Sequence, residues 1–457
     1  MNLFSPTDRR PVHFVGIGGA GMSALALIAC RRGVVVSGCD SDPTGASDVA
    51  AMGARIWRGH DPAHLDGARA VVVTAAVPSG HPELERARAL GLPVVPRKEA
   101  LAALIGQARS VAVSGTHGKT TTTVMTTEAL TAAGLSPTGI AGGRVSVWGG
   151  NARVAGDDLF VVEADEYDKA FLTLYPTVAI VNNVEPDHLE CYGSMTALED
   201  AFAEFAGRAE TAVVSADDPG ARRIADRLRR GVCRFGFAEE ADVRITGVGQ
   251  HADRTEAAVR WRDGTSVRVR LRVPGVHNLR NAVAALAATR AIGGDVRPAV
   301  EALGEFGGVG RRFERLGEHG GVAVVDDYAH HPSELAATLA AARQAYPGRR
   351  LVAVFQPHLY SRTAAHGQAM GEALAAADLV VVTEVYAARE QPIDGVSGRQ
   401  VADAARGAGA ETLFEPTRAE VGRRVYEALA PGDVVLTLGA GDITRVGPEL
   451  VRWLDAA

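Results

Sequence analysis

The chain has 457 residues, of which 47% are hydrophobic and 22% are charged, and its formal net charge is −6; this composition is typical of a globular protein long enough for about three domains. The acidic balance excludes a broad basic surface for nucleic acid or an anionic membrane. No stretch approaches the ~18 consecutive apolar residues of a membrane span, and the amino terminus lacks an apolar secretory segment, so we expect a cytoplasmic protein with no nucleic-acid partner and no membrane partner.

The first block of the chain alternates short β-branched runs with Ala- and Leu-rich stretches. This alternation is the pattern of a parallel α/β sheet. We predict strands at 12–15, 34–37, 70–74 and 94–95, and a helix at 99–105.

A glycine-rich loop connects the first predicted strand to the first helix. Its glycines allow backbone N–H groups to approach a diphosphate at the helix N-terminus. An acidic residue ends the next strand about 20 residues later, the spacing of a dinucleotide site. The same geometry serves NAD and a UDP-sugar, and a tight turn without a ligand is the structural alternative. The loop is Gly16, Ile17, Gly18, Gly19, Ala20 and Gly21, and the second strand leads into Asp40 and Ser41.

The four cysteines lie far apart and form no Cys-x-x-Cys pair. They are Cys30, Cys39, Cys191 and Cys233. Their spacing indicates neither a zinc knuckle nor a disulfide framework. We expect reduced thiols.

A second block follows a predicted linker at 107–110. Its polar, alternating region from 243 to 273 suggests antiparallel strands, and a Gly-rich passage from 304 to 310 precedes the next boundary. Further predictions are strands at 111–114, 159–163 and 178–182 and a helix at 279–291.

The strongest single motif is a phosphate loop between a strand and a helix. Its glycines free the backbone to surround phosphates, the lysine reaches the terminal ones, and Thr120 offers a hydroxyl to Mg²⁺. The general pattern has Gly where this chain has Val113. Because only three of the 48 basic residues are lysines, Lys119 is a candidate for chemistry rather than a chance match. The ATP-binding residues predicted here are Gly115, Thr116, His117, Gly118, Lys119, Thr120 and Thr121.

Two carboxylate-rich runs, 163–168 and 183–188, each follow a strand of this block. The carboxyl ends of parallel strands meet at one edge of a sheet, where a phosphate-bound hard cation needs oxygen ligands. Either run alone also fits a solvated acidic loop. His188, directly after Asp187, is a candidate for a metal or phosphate contact.

The helix that follows Pro274 carries two residues four apart, His277 and Asn281, which project from one face. There the asparagine can read an adenine edge. Capping of the helix by Asn278 explains that residue equally well.

The third block places polar side chains after each of its strands. Such clustering at strand ends marks a binding face in an open sheet, and His, Tyr and Arg together suit an amino acid carboxylate. We expect His331 to be an ordinary structural histidine. Strands are predicted at 322–325, 351–355, 379–383 and 434–438, and the polar runs at 326–332, 356–362 and 384–390.

These motifs, in this order, resemble those of the Mur ligase family along essentially the whole chain. A series in register is far more specific than either nucleotide motif alone. The runs that carry the resemblance are HFVGIGGAGMSALA, GTHGKTTT, EADEYD, NVEPDHL, PGVHNLRNA, RRF, DDYAHHP, FQPHLYSRT and VYAARE.

The resemblance implies an α/β protein of three domains. It implies an N-terminal Rossmann-like domain for a UDP-sugar (1–106), a central P-loop-type ATPase domain (107–311) and a C-terminal Rossmann-like α/β domain that brings an amino acid (312–457). The implied activity is ATP-dependent addition of L-alanine to the lactyl carboxylate of UDP-N-acetylmuramate through an acyl phosphate, in peptidoglycan precursor synthesis. Implied small-molecule partners are UDP-N-acetylmuramate, L-alanine and ATP, with Mg²⁺ or Mn²⁺, and we expect a monomer or weak homodimer.

Carried over position by position, the family pattern also assigns roles. Lys119, Glu163, His188 and His330 are the implied catalytic residues, and Thr120, Glu163 and His188 the implied metal site. The implied nucleotide contacts beyond the phosphate loop are His277, Asn278, Asn281, Arg311 and Arg312. The implied alanine site is Tyr328, His330 and Arg362, and the implied UDP-sugar site is Gly16, Gly18, Gly19, Ala20, Gly21, Asp40 and Ser41.

Two departures and several alternatives remain. Leu359 stands where some family members have an arginine. The absence of lysine after Lys169 favours the alanine-adding branch over later-acting ligases, which need a carbamylated lysine.

A recycling ligase that attaches a free tripeptide shares the central motifs. A folylpolyglutamate-type ligase lacks the complete Gly-rich domain, an NAD-dependent oxidoreductase leaves Lys119 without a role, and a nucleotide sensor leaves the third block unexplained.

Overall fold

The computed structural model describes residues 3–388 and 390–456, so Arg389 of the VYAARE run lies outside the described residues. The chain divides into two compact units. None of the described helices is long and apolar enough to cross a membrane. The first unit comprises Met1–Gly247, Ala257–Val269 and Arg280–Glu305, and the second comprises Val248–Glu256, Arg270–Leu279 and Phe306–Ala457.

The N-terminal sheet is parallel, with strand order β3-β2-β1-β4-β5. Its central strand is buried at every position, as expected for a parallel strand covered on both faces. The strands are β1 (Val12–Val15), β2 (Val36–Asp40), β3 (Arg55–Arg58), β4 (Ala70–Val73) and β5 (Val94–Pro96). The helices are α1 (Ala20–Arg31), α2 (Ser47–Ala51), α3 (Pro82–Ala89) and α4 (Arg97–Ile105).

The central sheet has the order β15-β14-β13-β12-β11-β10-β6-β9-β7-β8. Its strands are β6 (Arg109–Ser114), β7 (Thr138–Val145), β8 (Gly150–Arg153), β9 (Leu159–Glu163), β10 (Val178–Val181), β11 (Thr211–Ser215), β12 (Val232–Gly236), β13 (Val243–Gln250), β14 (Thr255–Trp261) and β15 (Ser266–Leu271). The associated helices are α5 (Lys119–Ala132), α6 (Leu189–Tyr192), α7 (Met195–Gly207), α8 (Pro219–Arg227), α9 (Val276–Ala291) and α10 (Val296–Gly304).

Two features of this block differ from the sequence-based expectation. The predicted linker at 107–110 is too long, because β6 begins at Arg109, which pairs with Leu159, and Ser110 is buried. The antiparallel pair β7 and β8 was not predicted, since its glycine-rich sequence lacks the β-branched alternation that marks a strand.

The C-terminal sheet has the order β16-β17-β21-β18-β19-β20, parallel except for the antiparallel edge strand β16. The strands are β16 (Glu314–His319), β17 (Val322–Asp327), β18 (Leu351–Phe355), β19 (Leu379–Val382), β20 (Glu411–Phe414) and β21 (Val434–Leu438). The helices are α11 (Pro332–Ala345), α12 (Tyr360–Leu374), α13 (Gly398–Gly407), α14 (Arg418–Ala428) and α15 (Val446–Asp455).

Both faces of this sheet are covered by helices. One buried cluster joins side chains of α11, α12 and α13, such as Leu339 and Met370, to one face of the strands. Another joins Val425 of α14 and Leu450 of α15 to the opposite face. Successive residues of β18 alternate between the two clusters, as the period of a strand requires. The doubly wound arrangement leaves the strand ends and the loops after them free for function.

Candidate active site

The glycine-rich loop lies between β1 and α1, where the spacing placed it. The Gly18 N–H donates to Asp40 Oδ2 at 2.9 Å, and a Cβ on Gly18 would lie 2.4 Å from the Asp42 carbonyl oxygen. Ser41 Oγ also donates to Asp40, at 3.3 Å. Asp40 at the end of β2 therefore holds the loop in place, and no larger residue fits at Gly18.

The phosphate loop lies between β6 and α5, and its glycines adopt conformations that other residues avoid. Gly115 has φ 135° and Gly118 has φ 77°. Asn183, after β10, holds the loop from the adjacent strand: its side-chain oxygen accepts from the His117 N–H at 2.7 Å and its carbonyl from the Thr116 N–H at 3.1 Å. The sequence did not single out Asn183, although it lies within the predicted 183–188 run.

Lys119 is the first residue of α5 and is held by a partner that the sequence did not assign. Its Nζ lies 2.9 and 2.8 Å from the two carboxylate oxygens of Glu166 and donates to the Gly115 carbonyl at 2.7 Å. Burial lowers the pKa of Lys119, but the Glu166 and Asp165 carboxylates outweigh it, so that the pKa is raised above its ordinary value. The ammonium therefore remains charged at the loop.

Thr120 and Glu163 lie together, as the predicted metal site requires. Thr120 Oγ1 donates to Glu163 Oε2 at 3.0 Å, and the Gly142 N–H on β7 donates to the same oxygen at 2.6 Å. A hydroxyl and a carboxylate beside a phosphate loop are the oxygen ligands that Mg²⁺ prefers, so the residues fit a divalent cation. Thr121 is buried in the first turn of α5.

His188 makes other contacts. Its Nδ1 lies 3.3 Å from Glu190 Oε1, its Nε2 lies 3.7 Å from Asp187 Oδ2, and its ring packs edge-on against Tyr167 with the centroids 5.1 Å apart. The backbone at His188 is left-handed, with φ 52°. The structure therefore joins Thr120 to Glu163 but gives His188 a separate set of partners.

A cavity of about 220 Å³ lies in the first unit, beside the glycine-rich loop. It extends from Gly21, in the glycine-rich loop, to Glu163 at the metal site. Arg97 also lines it, with a guanidinium nitrogen 4.0 Å from Asp165 Oδ2 and another 2.9 Å from where a Gly21 Cβ would stand. Arg97 was not predicted from the sequence, because it begins a helix with no recognisable motif.

The start of α9 supports two different roles. Asn278 is the third residue of α9, and its Nδ2 donates to the Pro274 carbonyl at 2.7 Å. This contact is not the capping role that the sequence left open, in which a side-chain oxygen accepts from an N–H of the first helical turn. The His277 ring lies over Gly275, where a Cβ would come within 2.4 Å of it. Asn281 lies against the phosphate loop, since its Oδ1 would be 2.8 Å from a Cβ on Gly118.

In the C-terminal unit, two arginines enclose Tyr328. The Arg311 guanidinium carbon lies 4.8 Å and that of Arg312 5.0 Å from the ring centroid of Tyr328, a cation–π arrangement. Arg311 also pairs with Asp326 at 3.1 Å. The Tyr328 carbonyl oxygen lies 2.9 Å from His330 Nδ1, and the two rings meet edge-on at 5.3 Å.

His358 joins the predicted alanine-site residues. Its Nδ1 lies 3.3 Å from Arg362 Nη1, its ring centroid is 6.2 Å from that of His330, and it stacks on Tyr386 at 5.7 Å. The structure thus brings Tyr328, His330 and Arg362 into one group with His358. The predicted polar run 356–362 contains His358, but no role was predicted for His358 itself.

The structure also locates His331 and Leu359, two further residues considered from the sequence. His331 is buried and is the residue before α11, with Nδ1 2.9 Å from Ser333 Oγ. Its ordinary structural role stays a prediction. Leu359 precedes α12 with φ 71°, a conformation that is strained for a residue with a side chain.

Three family models match the chain. A Mur ligase family catalytic-domain model matches residues 11–109, a Mur ligase middle-domain model 113–289 and a Mur ligase glutamate ligase domain model 311–441.

The chain belongs to the Mur ligase family.

Individual Mur ligases resemble it from end to end. A UDP-N-acetylmuramate–L-alanine ligase of Streptomyces griseus is 46% identical, with 98% of each chain covered. A UDP-N-acetylmuramate-alanine ligase structure from Thermotoga maritima is 31% identical with a TM-score of 0.83, covering 98% of this chain and 100% of the other. A murein peptide ligase structure from Psychrobacter arcticus is 25% identical with a TM-score of 0.74, covering 98% and 99%.

Proposed function

We propose that this Mur ligase uses ATP to join L-alanine to the lactyl carboxylate of UDP-N-acetylmuramate, releasing ADP and phosphate. The observation that carries the proposal is the 46% identity, over 98% of both chains, to a relative with this named activity. The site geometry agrees with it, because a phosphate loop, a carboxylate–hydroxyl pair and a group rich in His and Arg are the parts that the reaction needs.

The UDP-sugar is assigned to the N-terminal domain, residues 1–106. The backbone N–H groups of the glycine-rich loop at the start of α1 suit its diphosphate. The cavity beyond Gly21 leads to Glu163, which gives the lactyl carboxylate a path toward the phosphate loop. The residues assigned to this substrate are Gly16, Gly18, Gly19, Ala20, Gly21, Asp40 and Ser41.

ATP is assigned to the central domain, residues 107–311. Lys119 supplies a positive charge to the phosphates, and Asn281, which lies against Gly118, is placed for a nucleotide contact. His277, Asn278, Arg311 and Arg312 are assigned to the same nucleotide. Thr120 and Glu163 are the proposed ligands of Mg²⁺, or of Mn²⁺ in its place, with His188 as a further candidate. Mg²⁺, when bound, offsets negative charge on a phosphoryl group during its transfer.

L-Alanine is assigned to the C-terminal domain, residues 312–457. Arg362 is the candidate for its carboxylate, because a guanidinium binds a carboxylate through two parallel hydrogen bonds. His330 and Tyr328 lie in the same group through His358. His330 is suited to accept a proton from the alanine ammonium, since a neutral imidazole is a base near pH 7.

The proposed chemistry has two steps. The lactyl carboxylate attacks the terminal phosphorus of ATP and ADP leaves, which gives an acyl phosphate. The alanine amine then attacks the acyl carbon, and phosphate leaves as the amide forms. Lys119 stabilises the phosphoryl group in the first step, and the C-terminal group orients the amine for the second. Because the reaction consumes ATP, we assign it to the cytoplasm. We expect the enzyme to be a monomer or weak homodimer.

The competing function is a recycling ligase that attaches a tripeptide. ADP release with UDP-N-acetylmuramate and each amino acid in turn, with a free cell-wall tripeptide in parallel, separates the two. The proposal expects L-alanine to give the largest kcat/KM and the tripeptide none above background. A tripeptide preferred over alanine would contradict it.

A further inference from the structure

The N-terminal domain contains a second group of metal-ligating side chains, outside the site described above. It lies beside a small apolar cluster that includes Val15, Leu65 and Leu84. Its members come from β1, β2, the loop after β3, and α3 with the residue before it. They form two trios that share Glu83, namely His13, Cys39 and Glu83, and His60, His81 and Glu83. His64 also contacts Glu83.

Glu83 is the centre of this group and is completely buried. Cys39 Sγ donates to Glu83 Oε2 at 2.9 Å, and His60 Nδ1 lies 3.8 Å from the same oxygen and 3.2 Å from Cys39 Sγ. The other carboxylate oxygen accepts from the Asp61 N–H at 3.0 Å and lies 2.9 Å from His64 Nδ1. Asp61 and His64 therefore hold Oε1, while Oε2 faces Cys39 and His60.

His13 supplies the observation that points to a ligand. It is fully buried, and its Nδ1 lies 3.0 Å from Ser37 Oγ. Its Nε2 has no hydrogen-bond partner in the described part of the chain and points toward Glu83 Oε2, 3.7 Å away. A buried nitrogen without a partner costs free energy, so a feature that completes its coordination is expected there.

We propose that His13 Nε2, Cys39 Sγ, His60 Nδ1 and Glu83 Oε2 bind one Zn²⁺ ion, at a structural site separate from the ATP-linked metal site. In a tetrahedral zinc site, ligand atoms at ~2.0–2.3 Å from the metal stand about 3.5 Å from one another. Four of the six distances between these ligand atoms lie from 2.9 to 3.8 Å, close to that value. The ligand atoms of His13, Cys39 and Glu83 all lie within 4.8 Å of one another, and His60 joins them through its contacts with Cys39 and Glu83.

The donor set selects the metal. One thiolate, two imidazoles and one carboxylate suit Zn²⁺, whereas Mg²⁺ prefers oxygen ligands alone. The thiolate and the carboxylate together neutralise a divalent cation, so the buried site carries no net charge. Binding replaces the Cys39 thiol proton, which is released to solvent as the sulfur–zinc bond forms.

The surroundings fit a structural site. The Ser37 hydroxyl orients the His13 ring and the Asp61 N–H orients Glu83, as outer partners do for metal ligands. The His60 side chain is 30% exposed, which gives the ion a way in. The Cys39 carbonyl accepts from the Gly16 and Ile17 N–H groups, so the ion would fix the strand end that supports the glycine-rich loop.

The test uses the tag-free full chain in excess Mg²⁺, so that the ATP-linked site does not compete. We expect the chain to bind about one Zn²⁺ ion. When Co²⁺ replaces Zn²⁺, the absorption spectrum should show a thiolate-to-metal charge-transfer band and the intense visible bands of a four-coordinate site. Cys39→Ser should abolish the charge-transfer band and weaken Zn²⁺ binding at least ~10-fold, since even changes to outer partners of metal ligands cost 10–100-fold. Cys30→Ser and Glu163→Gln are the matched controls and should bind as the parent does.

Three results would overturn the proposal. One is a Cys39→Ser variant with the zinc affinity and Co²⁺ spectrum of the parent. The other two need no variant to fold. They are a parent chain that retains no zinc, and zinc-edge X-ray absorption of the parent chain that shows only nitrogen and oxygen neighbours.

Discussion

Lys119 of the phosphate loop and Glu166, which follows β9, form a buried ion pair, with Nζ 2.9 and 2.8 Å from the two carboxylate oxygens. The side chains are 14% and 2% exposed. Removing one partner of such a pair leaves a buried charge without compensation. The pair therefore holds the ammonium close to where phosphates are expected and keeps it charged.

Lys119→Ala should abolish turnover while UDP-sugar binding remains. Loss of one electrostatic contact to a developing charge lowers the rate by at least ~100-fold. The measurements are ADP release and calorimetric titration with UDP-N-acetylmuramate. Lys98→Ala is the matched control. Lys98 is not in the phosphate loop, and its Nζ pairs with Asp168 Oδ2 at a distance of 2.8 Å. Near-normal turnover of a well-folded Lys119→Ala chain would remove Lys119 from the mechanism.

His330→Ala and Arg362→Ala should impair alanine use more than nucleotide binding. Both side chains belong to the group around His358 in the C-terminal unit. We expect a rise of at least ~10-fold in the alanine KM for Arg362→Ala, because hydrogen bonds to charged groups contribute ~1.5–3 kcal/mol. His319→Ala, on the edge strand β16, is the control. Unchanged alanine kinetics in both variants would exclude these residues from the site.

Arg97→Gln should weaken the UDP-sugar. Arg97 lines the cavity between Gly21 and Glu163 and places a positive charge where an anionic substrate is expected. A hydrogen bond to a charged group contributes ~1.5–3 kcal/mol, so the KM for UDP-N-acetylmuramate should rise ~10-fold or more. The KM for alanine should be unchanged. Arg86→Gln, at a partly exposed ion pair with Asp66, should match the parent, and equal effects of the two changes would refute a specific role for Arg97.

Asp327 should make stability depend on pH. Burial raises its pKa from 3.8 to about 6, against the Arg312 charge and the N–H donors of Ala329 and Phe313. The folded state thus holds the proton more tightly than the unfolded state. The resulting stabilisation is complete below about pH 4 and is lost as pH rises through about 6.

To test this, the free energy of unfolding is measured for the parent and for Asp327→Asn from pH 4 to pH 8, and the two are compared. We expect the parent to lose on the order of 2–3 kcal/mol relative to the variant over this range. A difference independent of pH would show that Asp327 is already ionised throughout.

The sequence predicted the features that depend on local spacing. Both loops follow their strands as predicted, and Glu163 ends β9. Each depends on a few consecutive residues whose glycines require a particular backbone conformation. The three-domain α/β class also followed, because continuous apolar runs are typical of parallel strands.

Partners brought together by tertiary packing could not be predicted. Glu166 lies 47 residues from Lys119 in the chain, and nothing in the EADEYD run distinguishes it from Glu163. The His13 and Cys39 contacts with Glu83 join three separate elements, so cysteine spacing alone indicated no metal site. Gly142 bonds to Glu163 from a strand that the sequence did not mark.

The central claim, carboxylate activation by phosphoryl transfer, is tested most directly by following oxygen. UDP-N-acetylmuramate carrying ¹⁸O in its lactyl carboxylate is converted with ATP and L-alanine, and the released phosphate is analysed by mass spectrometry. In an acyl phosphate the carboxylate oxygen bridges to phosphorus, and attack of the amine breaks the carbon–oxygen bond. The account therefore predicts one ¹⁸O in the phosphate released with each amide. Unlabelled phosphate, or pyrophosphate as the product, would contradict it.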